Sequence, residues 1–153
     1  MSDPGLGARP VGNEVIVERS ISVPVERAYS AWEDPAQVAT WFTTRAEQDV
    51  RVGGRYANAD GDSGEYLEVV PRERLRFTWE QPKAAPGSNV TVEFLPEAED
   101  IVTVRITHNG LTADDVAGLQ DGWDWALDSL KSFLETGTAI PYEDWQSRKE
   151  MGY

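Results

Sequence analysis

Cysteine is absent from this 153-residue chain, and histidine occurs once, at position 108. Without cysteine there is no disulfide, no thiolate metal ligand and no thiol nucleophile, and the composition fits a reducing compartment. A cytoplasmic location, expected from the lack of a signal-peptide pattern in Met1 to Asn13, is consistent with this. With His108 alone, a multi-histidine metal site is excluded and a Ser-His-Asp triad has a single candidate base. Basic residues are also scarce: 14 Lys and Arg stand against 27 Asp and Glu, a formal net charge of -13. Such a surface can hardly neutralise phosphates, so nucleic acid is not an expected partner. The acidity serves solubility or matches a basic partner. No stretch approaches the ~18 unbroken apolar residues of a membrane helix, and Met1 to Asn13 lacks the basic-then-apolar order of a signal peptide. No membrane association is expected. With 40% hydrophobic and 27% charged residues, one domain with a full core is expected.

What is present is dominated by one amphipathic run, residues 113 to 135. At 100° per residue, Val116, Leu119, Trp123, Ala126, Leu127, Leu130, Phe133 and Leu134 fall on one side, with Asp121, Asp124, Asp128, Lys131 and Glu135 opposite. Such a helix is roughly 34 Å long, enough to cross a sheet. Thr112, with Asp115 three residues on, opens it as a capping-box variant, and Gly137 ends it.

The remainder is built from shorter pieces. Met1 to Asn13 reads as a flexible arm. Val15, Val17, Ile21 and Val23 share one strand parity, with Arg19 among them. Pro24 suits the first turn of a helix carrying Ala28, Tyr29 and Trp32, and Asp34-Pro35 restarts the chain as N-cap and first residue of a second. From Thr44 to Asn109 the period is two, broken by turn signals at Gly53-Gly54, Asn58 to Gly64, Pro71 to Arg74, Gln81 to Gly87 and Pro96 to Asp100. That pattern leaves about six strands in hairpin order, hence an antiparallel sheet and an α+β fold. The long helix needs a curved sheet to cover its apolar face, and a sheet curved around a helix encloses a pocket.

Two strings imitate ligand loops. Asn58 to Glu65 is rich in oxygen donors, but its glycine is misplaced for an EF-hand and Asp60-Gly61 is a hairpin turn. Gly53-Gly54 lacks the Lys and Ser/Thr of a phosphate loop and reads as a bend. No metal and no cofactor is assigned.

The order β-α-α-β6-α and a set of local strings resemble one family. These are Arg19 with Pro24, Trp32-x-Asp34-Pro35, Trp41-Phe42, Val52-Gly53-Gly54-x-Tyr56, Gly64-Glu65-Tyr66-Leu67-Glu68-Val69-Val70-Pro71, Leu75-x-Phe77-Thr78-Trp79, Val92-x-Phe94, Thr107-His108-x-Gly110-Leu111 and Gly122-Trp123. Over residues 14 to 136 the chain resembles single-domain relatives of the C-terminal domain of the activator of heat-shock protein 90 ATPase, in the START-like helix-grip superfamily. The resemblance implies a curved antiparallel sheet wrapped around the C-terminal helix, with a ligand cavity between them. It also implies two other roles, a co-chaperone-like interaction module and a cyclase-like enzyme. A full co-chaperone has a further N-terminal domain, whereas only 13 residues precede the first strand here.

The expected unit is a helix-grip domain over 14–136, followed by a tail over 137–153, and its expected function is to bind a small hydrophobic or amphipathic ligand. Trp41, Phe42, Tyr56, Phe77, Trp79, Val92, Val104, Trp123, Leu127 and Leu130 are the expected pocket wall. Arg19, His108 and one of Glu65 or Glu68 are the expected polar part, since an arginine on an apolar parity needs a partner. No residue is assigned as catalytic. In a cyclase-like variant this polar group would supply proton transfer. His108 equally suits a buried structural role. In the tail, Pro141 is suited to open a short helix with Tyr142 and Trp145 on one side. That side would cover Trp125, either within the chain or across a homodimer.

Overall fold

The structure, a computed structural model, describes residues 12–59, 61–81 and 87–150. Nearly all of the arm read over 1–13, Asp60 of the acidic turn and the interior of the 81–87 turn lie outside these residues. The chain runs β1 (Asn13–Ile21), α1 (Val25–Glu33), α2 (Pro35–Trp41), β2 (Ala46–Gln48), β3 (Arg55–Asn58), β4 (Ser63–Val70), β5 (Arg74–Trp79), β6 (Ser88–Ala98), β7 (Ile101–Leu111), α3 (Ala113–Thr136), α4 (Tyr142–Glu150). The seven strands form one sheet in the order β1-β7-β6-β5-β4-β3-β2, with every pair antiparallel. Strands β2 to β7 are a meander, and β1 closes on β7. Helices α1 and α2 therefore carry the chain from one edge of the sheet to the other. The expected β-α-α-β6-α order is present, extended by α4.

Local chemistry sets the boundaries. The Asp34 carboxylate accepts the Ala36 N–H at 3.0 Å, while the Asp34 N–H donates to Ser30 O at 2.9 Å, so one residue ends α1 and starts α2. At the start of α3, the backbone N–H and hydroxyl of Thr112 both donate to the Asp115 carboxylate. Gly137 ends that helix with φ 85°, a left-handed conformation that favours glycine, and its N–H donates to Phe133 O at 2.9 Å. Gly64 is required for a different reason. A Cβ there would lie 2.0 Å from Thr78 O, so the close approach of β4 to β5 depends on its absence. Just beyond, the β4–β5 register shifts between Tyr66 and Glu68, an irregularity that bends the sheet.

The inner face of α3, with Trp123, Ala126, Leu127, Leu130 and Leu134, shares one buried core with Val15, Val17, Val104 and Ile106 of the sheet. Each such leucine contributes about 1.5–3 kcal/mol through removal from water. The tail packs on the outer side of α3. Trp125 donates its indole N–H to Ile140 O at 2.7 Å, Trp145 donates to Asp128 at 2.9 Å, and Lys149 donates to Asp121 at 2.7 Å. Asp121 and Asp128, on the side opposite the apolar face, thus anchor α4. No helix among the described residues is long and apolar enough to cross a membrane.

Candidate functional site

The centre of the grip is filled. Val92, Val104, Leu127 and Leu130 are fully buried. They form core between helix and sheet and are not among the residues that line the two cavities beside the first half of α3. At mid-helix the side chains from the two layers thus pack in one core.

Among the aromatic side chains of the expected wall, space remains beside the first half of α3. An inner cavity of about 30 Å³ lies among Trp41, Tyr56, Phe77, Trp79 and Trp123. Its rings pack edge to face, with Tyr56 and Phe77 5.1 Å apart and Trp32 and Trp41 4.9 Å apart. It is large enough for a water or a single polar group. The indole N–H of Trp32 and the side-chain oxygen of Asn58, both on its wall, are buried without a partner among the described residues.

Phe42, Trp79 and Trp123 separate this cavity from an open cleft of about 260 Å³. Phe42, the C-terminal cap of α2, lies nearly parallel to Trp123 at 5.8 Å and to Trp125 at 5.9 Å. Tyr142 of α4 meets Trp125 edge-on at 5.7 Å and closes another side. The floor is α3 itself, at Gly118, Leu119 and Gly122. A Cβ at either glycine would meet no atom within 4 Å, so these positions face open space. Asp62 of the β3–β4 turn, only 8% exposed, lines the cleft as well and accepts from the Gln81 amide at 3.1 Å.

The expected polar cluster does not assemble. Arg19 lies on the inward parity of β1, but its guanidinium reaches Asp128 at 2.9 Å and Asp124 at 3.2 Å on the flank of α3. Glu68 pairs with Arg74 at 2.8 Å, and this hydrogen-bonded guanidinium holds its carboxyl below the usual range. Glu65 flanks buried Gly64 and Tyr66 and takes the other parity, facing away from the core. Register explains the separation, because Arg19 sits opposite Val104 near one edge of the sheet while β4 is four strands away.

His108 is fully buried between its neighbours. The Trp123 indole N–H donates to its Nδ1 at 3.0 Å, and Nε2 is 2.7 Å from Ser88 Oγ. Because an indole only donates, Nδ1 must be the unprotonated nitrogen, so Nε2 carries the hydrogen and donates to the serine. Burial pushes the imidazole pKa down to about 4, against a weaker upward pull from Asp115. A Ser-His pair in this tautomer cannot activate the serine, since the lone pair a base would use is already engaged.

Two features of the cleft were not singled out in the sequence, Gly118 and Asp62. The first had a signal. Gly118 and Gly122 recur at i, i+4 in a helix otherwise rich in good formers, which places both on one face. Asp62 lay within the oxygen-rich string Asn58 to Glu65, which reads as a hairpin turn and carries no sign of the cleft.

The model of the Activator of Hsp90 ATPase homolog 1-like protein family matches residues 22–135. The chain belongs to this family. Among solved structures, CalU16 from Micromonospora echinospora is 26% identical, with a TM-score of 0.75 over 94% of this chain and 90% of that one. DynU16, a protein of the dynemicin biosynthetic locus, is 31% identical at a TM-score of 0.72, matched over 82% of this chain but 48% of its own. The Aha1 dimer from Colwellia psychrerythraea, 21% identical at a TM-score of 0.72 over 82% of this chain and 98% of that one, is similar in fold. No curated protein matches the chain in sequence.

Proposed function

We propose that this family member binds a small apolar or amphipathic molecule in the aromatic cleft beside α3, as a cytoplasmic binding protein. On this reading residues 14–136 are the ligand-binding domain and the tail after Gly137 is its cover. The observation that carries the proposal is the pair Gly118 and Gly122. Each costs the helix up to about 1 kcal/mol relative to alanine, and no neighbouring atom would clash with the methyl group. A helix that forgoes this stability over an aromatic-walled space of about 260 Å³ keeps that space open for an occupant. The volume suits a molecule of one or two rings, because it lies just below the usual range of drug-sized pockets. The membership of DynU16 in a biosynthetic locus agrees with a small-molecule ligand.

The test is a titration with the neutral dye N-phenyl-1-naphthylamine, followed by its fluorescence. Wild type is expected to bind, and Gly122→Leu, whose side chain would occupy the cleft, to lose binding while melting no lower. Equal binding by both proteins would place the dye elsewhere and remove the cleft from the proposal. The co-chaperone alternative rests on the family description, and it instead predicts stimulation of a chaperone ATPase that Gly122→Leu leaves unchanged.

A further inference from the structure

The inner cavity beside the cleft has a polar demand that its own wall does not meet. Most of the hydrogen-bonding side chains on that wall are engaged. Gln48 donates to the carbonyl oxygens of Trp32 and Glu33 and accepts from the Tyr66 hydroxyl at 3.0 Å. Tyr56 donates to Thr78 O at 2.8 Å, Trp41 to Ala31 O at 2.8 Å and Trp123 to His108 at 3.0 Å. The indole N–H of Trp32 and Oδ1 of Asn58 remain, both buried without a partner among the described residues. Trp32 is only 7% exposed, so water outside the protein does not serve its N–H. A buried polar group left unbonded costs free energy, and a wall that satisfies its other groups this well has a place for one more.

We infer that the occupant of the cleft is an apolar molecule of one or two rings ending in a hydroxyl, and that this hydroxyl enters the inner cavity, accepting from Trp32 and donating to Asn58. This rests on the cleft being a ligand site at all. A cavity of about 30 Å³ takes a single polar atom, and its two unbonded groups have opposite roles, an N–H that donates and an amide oxygen that accepts. One atom that does both is a hydroxyl oxygen. A carbonyl or ether oxygen only accepts, and would leave Asn58 unbonded. A carboxylate or an ammonium would bring its charge into a wall whose described residues carry none to balance it. The route is short, because Phe42, Trp79 and Trp123 line both spaces. Trp79 and Trp123 are buried, whereas Phe42 is half-buried at the C-terminal end of α2 and is followed by three residues outside any helix or strand. Phe42 is therefore the ring that turns aside, while the rings of the ligand stay in the cleft over Gly118 and Gly122.

The test is displacement of N-phenyl-1-naphthylamine from the full chain by 2-naphthol, naphthalene and 2-methoxynaphthalene. Ring contacts alone would favour naphthalene, since burying a hydroxyl without a partner costs affinity. The expected result is that 2-naphthol displaces the dye at about tenfold lower concentration than either of the others, the gain of one or two neutral hydrogen bonds. Asn58→Leu removes the acceptor and Trp32→Phe removes the donor. Each should bring 2-naphthol to the level of naphthalene and leave displacement by naphthalene nearly unchanged, and Asn58→Leu suffices if Trp32→Phe fails to fold. Equal displacement by 2-naphthol and naphthalene in wild type overturns the hydroxyl inference and leaves the inner cavity to a bound water, while small-molecule binding in the cleft stands. Displacement by 2-methoxynaphthalene as strong as by 2-naphthol, or a 2-naphthol preference that survives Asn58→Leu, also overturns it. If the dye itself does not bind wild type, the inference and the proposed function fall together.

Discussion

The indole N–H of Trp123 on α3 donates to Nδ1 of His108 on β7 across 3.0 Å, and this hydrogen bond joins the helix to the sheet beneath the cleft. It also fixes the histidine as neutral. A protonated ring would carry hydrogens on both nitrogens, so the indole N–H would face an N–H instead of a lone pair.

The consequence is a definite pH dependence. The folded-state pKa of His108 is lowered to about 4, whereas an unfolded chain takes up its proton near 6.5. As pH falls, the unfolded state therefore binds the proton first. The stability from this group is complete above about pH 6.5 and declines as pH falls toward 4. Between pH 7.5 and 5 the loss should be about 2 kcal/mol from this residue alone. Urea denaturation across that range is expected to show it in wild type and to show a much flatter profile in His108→Gln. An equally steep profile in the variant would assign the effect to carboxylates.

Leu127 is wholly buried where the helix crosses the sheet. Leu127→Ala should cost about 2–5 kcal/mol in equilibrium unfolding, because the side chain is wholly enclosed in the core and does not line the cleft. A loss below about 1 kcal/mol would contradict close packing at mid-helix.

Much of this fold is written in local sequence. The 3.6-residue period of α3, the Thr112–Asp115 cap and Asp34-Pro35 each act within a few residues, and each occurs in the structure as its chemistry demands. Strand parity placed Arg19 inward, where it is. It could not supply the partner, because the choice between Glu65, Glu68 and the aspartates of α3 depends on which strands are neighbours across the sheet. The extent of a pocket wall is illegible for a related reason. Val92 and Leu127 both face inward, but parity and helical phase do not report whether two inward faces touch. The glycines that leave the cleft open carry their information as missing volume, which a search for apolar patterns passes over.

The tail is bound to α3 by Trp125 to Ile140, Trp145 to Asp128 and Lys149 to Asp121. Deleting residues 138 to 153 should therefore lower the melting temperature and leave the molar mass in solution unchanged. A fall in mass would show that the same surfaces join two copies, as in a homodimer. Because Tyr142 forms one side of the cleft, the truncated chain should also bind N-phenyl-1-naphthylamine more weakly than the full one.

The presence of a ligand in the cleft is tested most directly by the six tryptophans. Their indole N–H signals can be followed individually in a ¹H–¹⁵N spectrum during titration with N-phenyl-1-naphthylamine. Trp79, Trp123 and Trp125 line the cleft, whereas Trp145 lies in a separate groove between α3 and α4, and Trp41 donates to Ala31 O in the core. Binding in the cleft should shift the first three in a saturable manner, with Trp125 and Trp79 moving most and Trp145 nearly still. Saturable shifts confined to Trp145, or no shift in any of the six, would contradict it.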